Sequence, residues 1–171
     1  WHFFTKYFYE LVACSGISML PTIPHWHPRA QHPWLLTSKL YRRGHNIKVG
    51  DIVIYVSPDT GGNGCKRVVG MPGDYVCVLS PPKENKDLDD EEFVGGRVGE
   101  DMFRVPEGHC WLVGDNLQWS RDSRVYGPVP LALIKGKVLG YVVPFSDAAW
   151  FRNGVAEAGE HEPPVVTKVL V

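Results

Sequence analysis

Glycine and proline interrupt this chain too often for long helices, and that interruption sets its structural class. With 18 Gly and 14 Pro among 171 residues, turn formers separate short runs of β-branched and aromatic side chains, the pattern of a mainly β domain built from hairpins. The clearest runs are 51–56 (DIVIYV), 75–79 (YVCVL), 110–113 (CWLV) and 137–143 (KVLGYVV). Residues 131–135 (LALIK) have room for one helical turn. At this length the chain makes one domain with a sizeable core.

Charge narrows the partners. Eighteen Lys and Arg against 19 Asp and Glu give a net charge of -1, so the basic excess of a nucleic-acid binder is missing. The neutral total averages unlike parts. Residues 83–101 (KENKDLDDEEFVGGRVGED) hold eight acidic and three basic side chains, a local balance of -5 against +4 for the rest. Such a run reads as a solvated loop inserted between strands. The tail 153–171 shows no sustained periodicity and reads as a flexible extension.

The opening segment 1–13 (WHFFTKYFYELVA) is rich in aromatic residues, with Lys6 and Glu10 spaced to share a helix face. At about 1.5 Å per residue it is too short to cross a hydrocarbon core of roughly 30 Å. It is either an amphipathic first helix or the last turns of a membrane helix. The cysteines at 14, 65, 77 and 110 form no Cys-x-x-Cys pair, which argues against a zinc site and for isolated thiols. No metal or cofactor motif is present.

Three clusters carry the residue types of chemistry. In 14–22 (CSGISMLPT), Pro21 discourages a continuous helix beyond Ser18, and Gly16 permits close approach of another backbone. A serine in such a turn can present a nucleophilic hydroxyl or merely cap the turn. In 65–74 (CKRVVGMPGD), adjacent Lys66 and Arg67 would point to opposite faces of a strand. An inward Lys66 among Cys65, Val68 and Val69 would be desolvated, and desolvation favours the neutral amine that a general base needs. In 114–124 (GDNLQWSRDSR), Asp122 and Arg124 suggest an ion pair inside a hydrogen-bonded loop. His25, His27, His32 and His45 lie in a Pro-rich connector without the acidic neighbour of a Ser-His-Asp arrangement.

Taken together, Ser18-Met19-x-Pro21-Thr22, Lys66-Arg67-Val68-x-Gly70-x-Pro72-Gly73-Asp74 and Gly114-Asp115-Asn116-x-x-x-Ser120-x-Asp122-Ser123-Arg124-x-x-Gly127 resemble the type I signal peptidase family in order and spacing. The likeness spans roughly 14–145, and three ordered motifs are far more specific than one. It is greatest towards the mitochondrial branch of that family.

The resemblance implies a serine endopeptidase domain over 14–152, β-rich, behind a membrane-anchor helix ending within 1–13. It makes Ser18 the nucleophile and Lys66 the general base. Ser120 would orient the Lys66 amine, Asp122 and Arg124 would brace the loop, and Gly114 would belong to the active-site loop. Its implied setting is the mitochondrial inner membrane, with the catalytic domain facing the intermembrane space. Its implied partners are the sorting peptides of precursor proteins, a second catalytic subunit in a heterodimer, and the bilayer. Many bacterial relatives place a serine two positions before the nucleophile, where this chain has Gly16. The oxyanion would then rely on the Ser18 N–H with Ser15 or a water.

Rival readings are the sister catalytic subunit, a non-catalytic peptide-binding β module, and the self-cleaving repressor peptidases. The last carry a DNA-binding module that this chain lacks. The endoplasmic-reticulum branch has histidine where Lys66 stands.

Overall fold

The computed structural model describes residues 5, 7–25, 32–80, 99–143, 148–154 and 166–169. The strands are β1 Tyr9–Ala13, β2 Trp34–Ser38, β3 Ile52–Val56, β4 Asn63–Gly70, β5 Tyr75–Ser80 and β6 Gly99–Arg104. They continue with β7 His109–Val113, β8 Val129–Pro130, β9 Ile134–Val143, β10 Ala149–Trp150 and β11 Val166–Val169. Among the described residues helix is confined to short pieces, such as Ser123–Tyr126 and a 3-10 turn at Leu131–Leu133.

The main sheet runs β1-β2-β9-β3-β4-β7-β8, with β10 on β9, and a smaller sheet runs β11-β5-β6. β3 lies inside the main sheet because its sequence leaves it no solvent face. Val53 and Tyr55 pack with Val68, Leu112 and Ile134, whereas Ile52 and Ile54 pack on the other side with Met19, Leu35 and Val138. A near-continuous apolar run is what burial on both faces requires. β7 divides similarly: Cys110 and Leu112 join the first cluster, Trp111 and Val113 a third one with Val76 and Val105.

All four runs read as strands fold as strands, and the mainly β class holds. Three boundaries are corrected. Tyr9–Ala13, expected inside the anchor helix, pairs residue for residue with Trp34–Ser38 as an antiparallel strand. Its backbone hydrogen bonds are made to β2, so a helix can occupy only residues before Tyr9. Residues 99–101, the end of the acidic run, belong to β6 and pair with β5. Val166–Val169, in the expected flexible tail, lies parallel to Tyr75–Val78 and forms one edge of the small sheet. Residues 1–4, 6, 81–98, 155–165 and 170–171, covering the rest of those expectations, lie outside the described residues, as does His27. Among the described residues no helix is long and apolar enough to cross a membrane.

Candidate active site

A cleft of about 270 Å³ opens between the segment after β1 and the first half of β4, and both Ser18 and Lys66 line it. The Ser18 segment is irregular backbone held by specific anchors. Gly16 sits at φ +118°, a conformation that suits glycine. Met19 and Ile23 are buried beyond the serine, and the Ile23 N–H donates to the Met19 carbonyl at 2.9 Å. From the opposite side, Asn116 donates its backbone N–H to the Ser18 carbonyl and its Nδ2 to the Ile17 carbonyl, each at 3.0 Å. The nucleophile candidate is therefore clamped by the third sequence cluster.

Lys66 stands opposite Val53 in the β3–β4 register and is 5% exposed. Burial pushes its amine below the ordinary lysine range, while the negative charge of Asp122 pulls the other way. The balance favours a neutral amine more than an exposed lysine would allow. Among the described residues the amine makes no ion pair or hydrogen bond. Its neighbour Arg67 takes the opposite face, but it is half-buried rather than solvated.

Arg67 organises a network that the sequence reading left without a role. Its Nε donates to Asp115 Oδ1 at 2.8 Å and its Nη2 to Asp115 Oδ2 at 2.7 Å, while Nη1 donates to the Gly50 carbonyl at 2.8 Å. Thr22 Oγ1 donates to Asp115 Oδ2 at 2.5 Å. One carboxylate thus joins all three clusters. The available signal was an arginine beside Lys66 and an aspartate in the Gly-Asp-Asn turn, complementary charges whose pairing no spacing rule connects.

Asp122 is fully buried and saturated. It accepts from the Gly114 N–H at 3.0 Å, from Ser120 Oγ at 2.5 Å, and from Arg124 Nε at 2.8 Å. Burial works to raise its carboxyl, but the bonds from Arg124, Gly114 and Ser120 outweigh it and hold the group below the usual carboxylate range. Ser120 is therefore bonded to Asp122, not to Lys66. Its oxygen keeps lone pairs that could still accept from an amine.

Gly114 explains how Ser120 comes near Ser18. A Cβ at Gly114 would lie 2.6 Å from the Ser18 carbonyl oxygen and closer still to Ser120 Oγ. Ser15 and Gly16 line the cleft, and Arg121 and Asp59 form an ion pair of 2.9 Å on its wall.

Chemically, the arrangement offers a hydroxyl and a desolvated amine on one cleft, with a rigid loop behind them: the parts of a hydrolase that works without histidine. A family model described as signal peptidase, peptidase S26, matches residues 2–81 and 79–143. Mitochondrial inner membrane protease subunit 1 of Mus musculus is 39% identical over 153 residues, covering 86% of this chain and 78% of the relative. Subunit 2 of the Saccharomyces cerevisiae protease is 30% identical over 138 residues, covering 79% and 68%. A signal peptidase I from Enterococcus faecalis V583 superimposes with a TM-score of 0.40 at 25% identity, over 54% of this chain and 96% of that one. The chain belongs to the signal peptidase S26 family and is a serine-type peptidase.

Proposed function

We propose that this peptidase removes sorting peptides from proteins directed to the mitochondrial intermembrane space, using Ser18 as nucleophile and Lys66 as general base. The observation that carries the reading is the shared cleft: its lining holds both a serine fixed by its backbone and a lysine whose burial favours the neutral amine. Ser18 Oγ attacks the scissile carbonyl while Lys66 Nζ accepts its proton. Lys66 then gives that proton to the leaving amine, and water hydrolyses the acyl-enzyme by the same exchange. Ser120, whose own proton goes to Asp122, offers Lys66 an acceptor that fixes the amine's direction. The Ser18 N–H and Ser15 stabilise the oxyanion.

The relatives' names support a place at the inner membrane and action beside a second catalytic subunit. Identity of 39% to a subunit 1 against 30% to a subunit 2 favours the first role over its sister. We assign the bilayer contact to residues before Tyr9 and the catalytic face to the intermembrane-space side.

Cleavage of precursor peptides by the full chain with its second subunit tests this reading. Ser18→Ala and Lys66→Ala should each lower kcat by roughly a thousandfold or more with the circular-dichroism spectrum unchanged. Lys66→Arg should also fail, because guanidinium does not give up its proton. Full activity in any of these variants overturns the dyad.

A further inference from the structure

The four cysteines are not equivalent. Cys77 and Cys110 are buried, and Cys110 donates its thiol to the Val129 carbonyl at 3.6 Å while burial pushes it up to about 12. Cys14 and Cys65, by contrast, both line the cleft that holds Ser18 and Lys66.

The fold brings these two thiols together from distant sequence. Cys14 ends the β1 segment, where its N–H donates to the Pro33 carbonyl at 2.9 Å. Cys65 lies in β4 opposite Ile54. Both pack against the cluster of Leu35, Ile52 and Ile54, and each thiol lies near enough to shift the other's titration. Two neighbouring thiols on one cleft wall are placed for a bond that the buried pair, each in another cluster or strand, does not offer.

We propose that Cys14 and Cys65 are a reversible disulfide site, oxidised by a glutathione-type disulfide, whose closure turns the peptidase down. The regulatory half rests on the Ser18/Lys66 reading; the disulfide itself does not. Cys14 thiolate attacks one sulfur of the oxidant, forming a mixed disulfide and releasing one glutathione thiolate. Cys65 then attacks the Cys14 sulfur and releases the second glutathione. Two electrons pass from the protein to the oxidant, and the two thiol protons end on the two glutathione molecules. The order follows from the surroundings. The neighbouring Cys65 thiol and the charge of Lys66 hold Cys14 below the ordinary thiol range despite its burial, whereas Cys65 is pushed well above it by the Cys14 thiol and by burial. A lower thiol supplies the attacking thiolate.

Closure acts on the site through sequence adjacency. Cys14 is four residues before Ser18, and Cys65 immediately precedes Lys66. Drawing the two sulfurs into a covalent bond shifts both segments, and misplacing a reacting group by about 1 Å can cost on the order of a hundredfold in rate.

The test equilibrates the full chain, with its second subunit, across a series of reduced-to-oxidised glutathione ratios. Alkylation with mass spectrometry counts the thiols while peptide cleavage is followed in parallel. Cys14 and Cys65 should lose reactivity together and appear as one cross-linked peptide lighter by two hydrogens. kcat/KM should fall by roughly tenfold or more and recover with dithiothreitol. Cys65→Ser should stop at a glutathione adduct on Cys14, and Cys14→Ser should form neither product. If both thiols stay alkylatable throughout the series, the site is overturned. A disulfide at unchanged kcat/KM overturns the regulation. A reduced chain that cleaves nothing counts against the Ser18/Lys66 reading, and the thiol count still decides the disulfide.

Discussion

Arg67 and Asp115, 48 positions apart, meet through two parallel hydrogen bonds of 2.8 and 2.7 Å. This bidentate contact ties β4, one residue past Lys66, to the turn whose next residue, Asn116, holds the Ser18 carbonyl. Arg67→Lys keeps the charge and loses the fork. Urea unfolding should register a loss of about 1–3 kcal/mol for Asp115→Ala, a range that reflects the partial exposure of the pair. Both variants should lower kcat more than they raise KM, because the damage is to the placement of Ser18 relative to Lys66. Unchanged kcat in folded Asp115→Ala would show that the clamp is dispensable.

The depressed Lys66 amine sets a pH dependence of activity and a separate one of stability. Peptide cleavage should rise with pH through a basic limb below the ordinary lysine value of 10.5, as the neutral amine accumulates. For stability, the unfolded chain keeps its lysine proton where the folded chain has lost it, so unfolding free energy rises with pH between the lowered folded value and 10.5. Below the folded value the penalty for charging a buried amine is complete. Lys66→Met should be inactive and should flatten this window in urea titrations at several pH values.

Asp122 gives a dependence of the same sign in the acid range, but as a stabilisation lost at low pH. Its folded value is held below the reference of 3.8, so its stabilisation is present above 3.8 and is lost as pH falls through the lowered value. Arg124→Ala leaves a fully buried carboxylate without its cation, which should cost about 3 kcal/mol or more. Asp122→Asn together with Arg124→Ala should recover part of that loss. A double variant no better than the single one would contradict this account.

Gly114→Ala tests how close the two loops must lie. The added methyl would meet the Ser18 carbonyl and Ser120 Oγ together, and neither that backbone nor a hydroxyl tied to buried Asp122 can yield cheaply. Cleavage should fall at least tenfold, an effect of about 1.4 kcal/mol on the barrier, with thermal unfolding shifted down. Gly73→Ala is the contrast for space alone: it meets no atom within 4 Å, although its φ of +92° still imposes backbone strain.

Periodicity exposed the parts of the fold that are buried on two faces. The run DIVIYV announces β3 because every side chain from Ile52 to Tyr55 is buried. β1 carried no such signal: Leu11 is 49% exposed and Glu10 pairs with Lys39 at 2.8 Å, so its strand character comes from β2 rather than from its own residues. The expected pairing of Asp122 with Arg124 was legible because the two lie only two positions apart. Arg67 with Asp115, and Cys14 with Cys65, were not, since each pair is brought together only when strands distant in sequence align.

That alignment has a consequence for when the chain can act. Ser18, Lys66 and Ser120 come from segments that meet only when β4 is zipped between β3 and β7, and each pairing closes a long loop whose ordering entropy must be met before the contact forms. No short folded fragment contains more than one of the three side chains. On the proposed Ser18/Lys66 chemistry, hydrolytic capacity is consequently an all-or-none property of the finished sheet, and a half-made molecule is chemically silent.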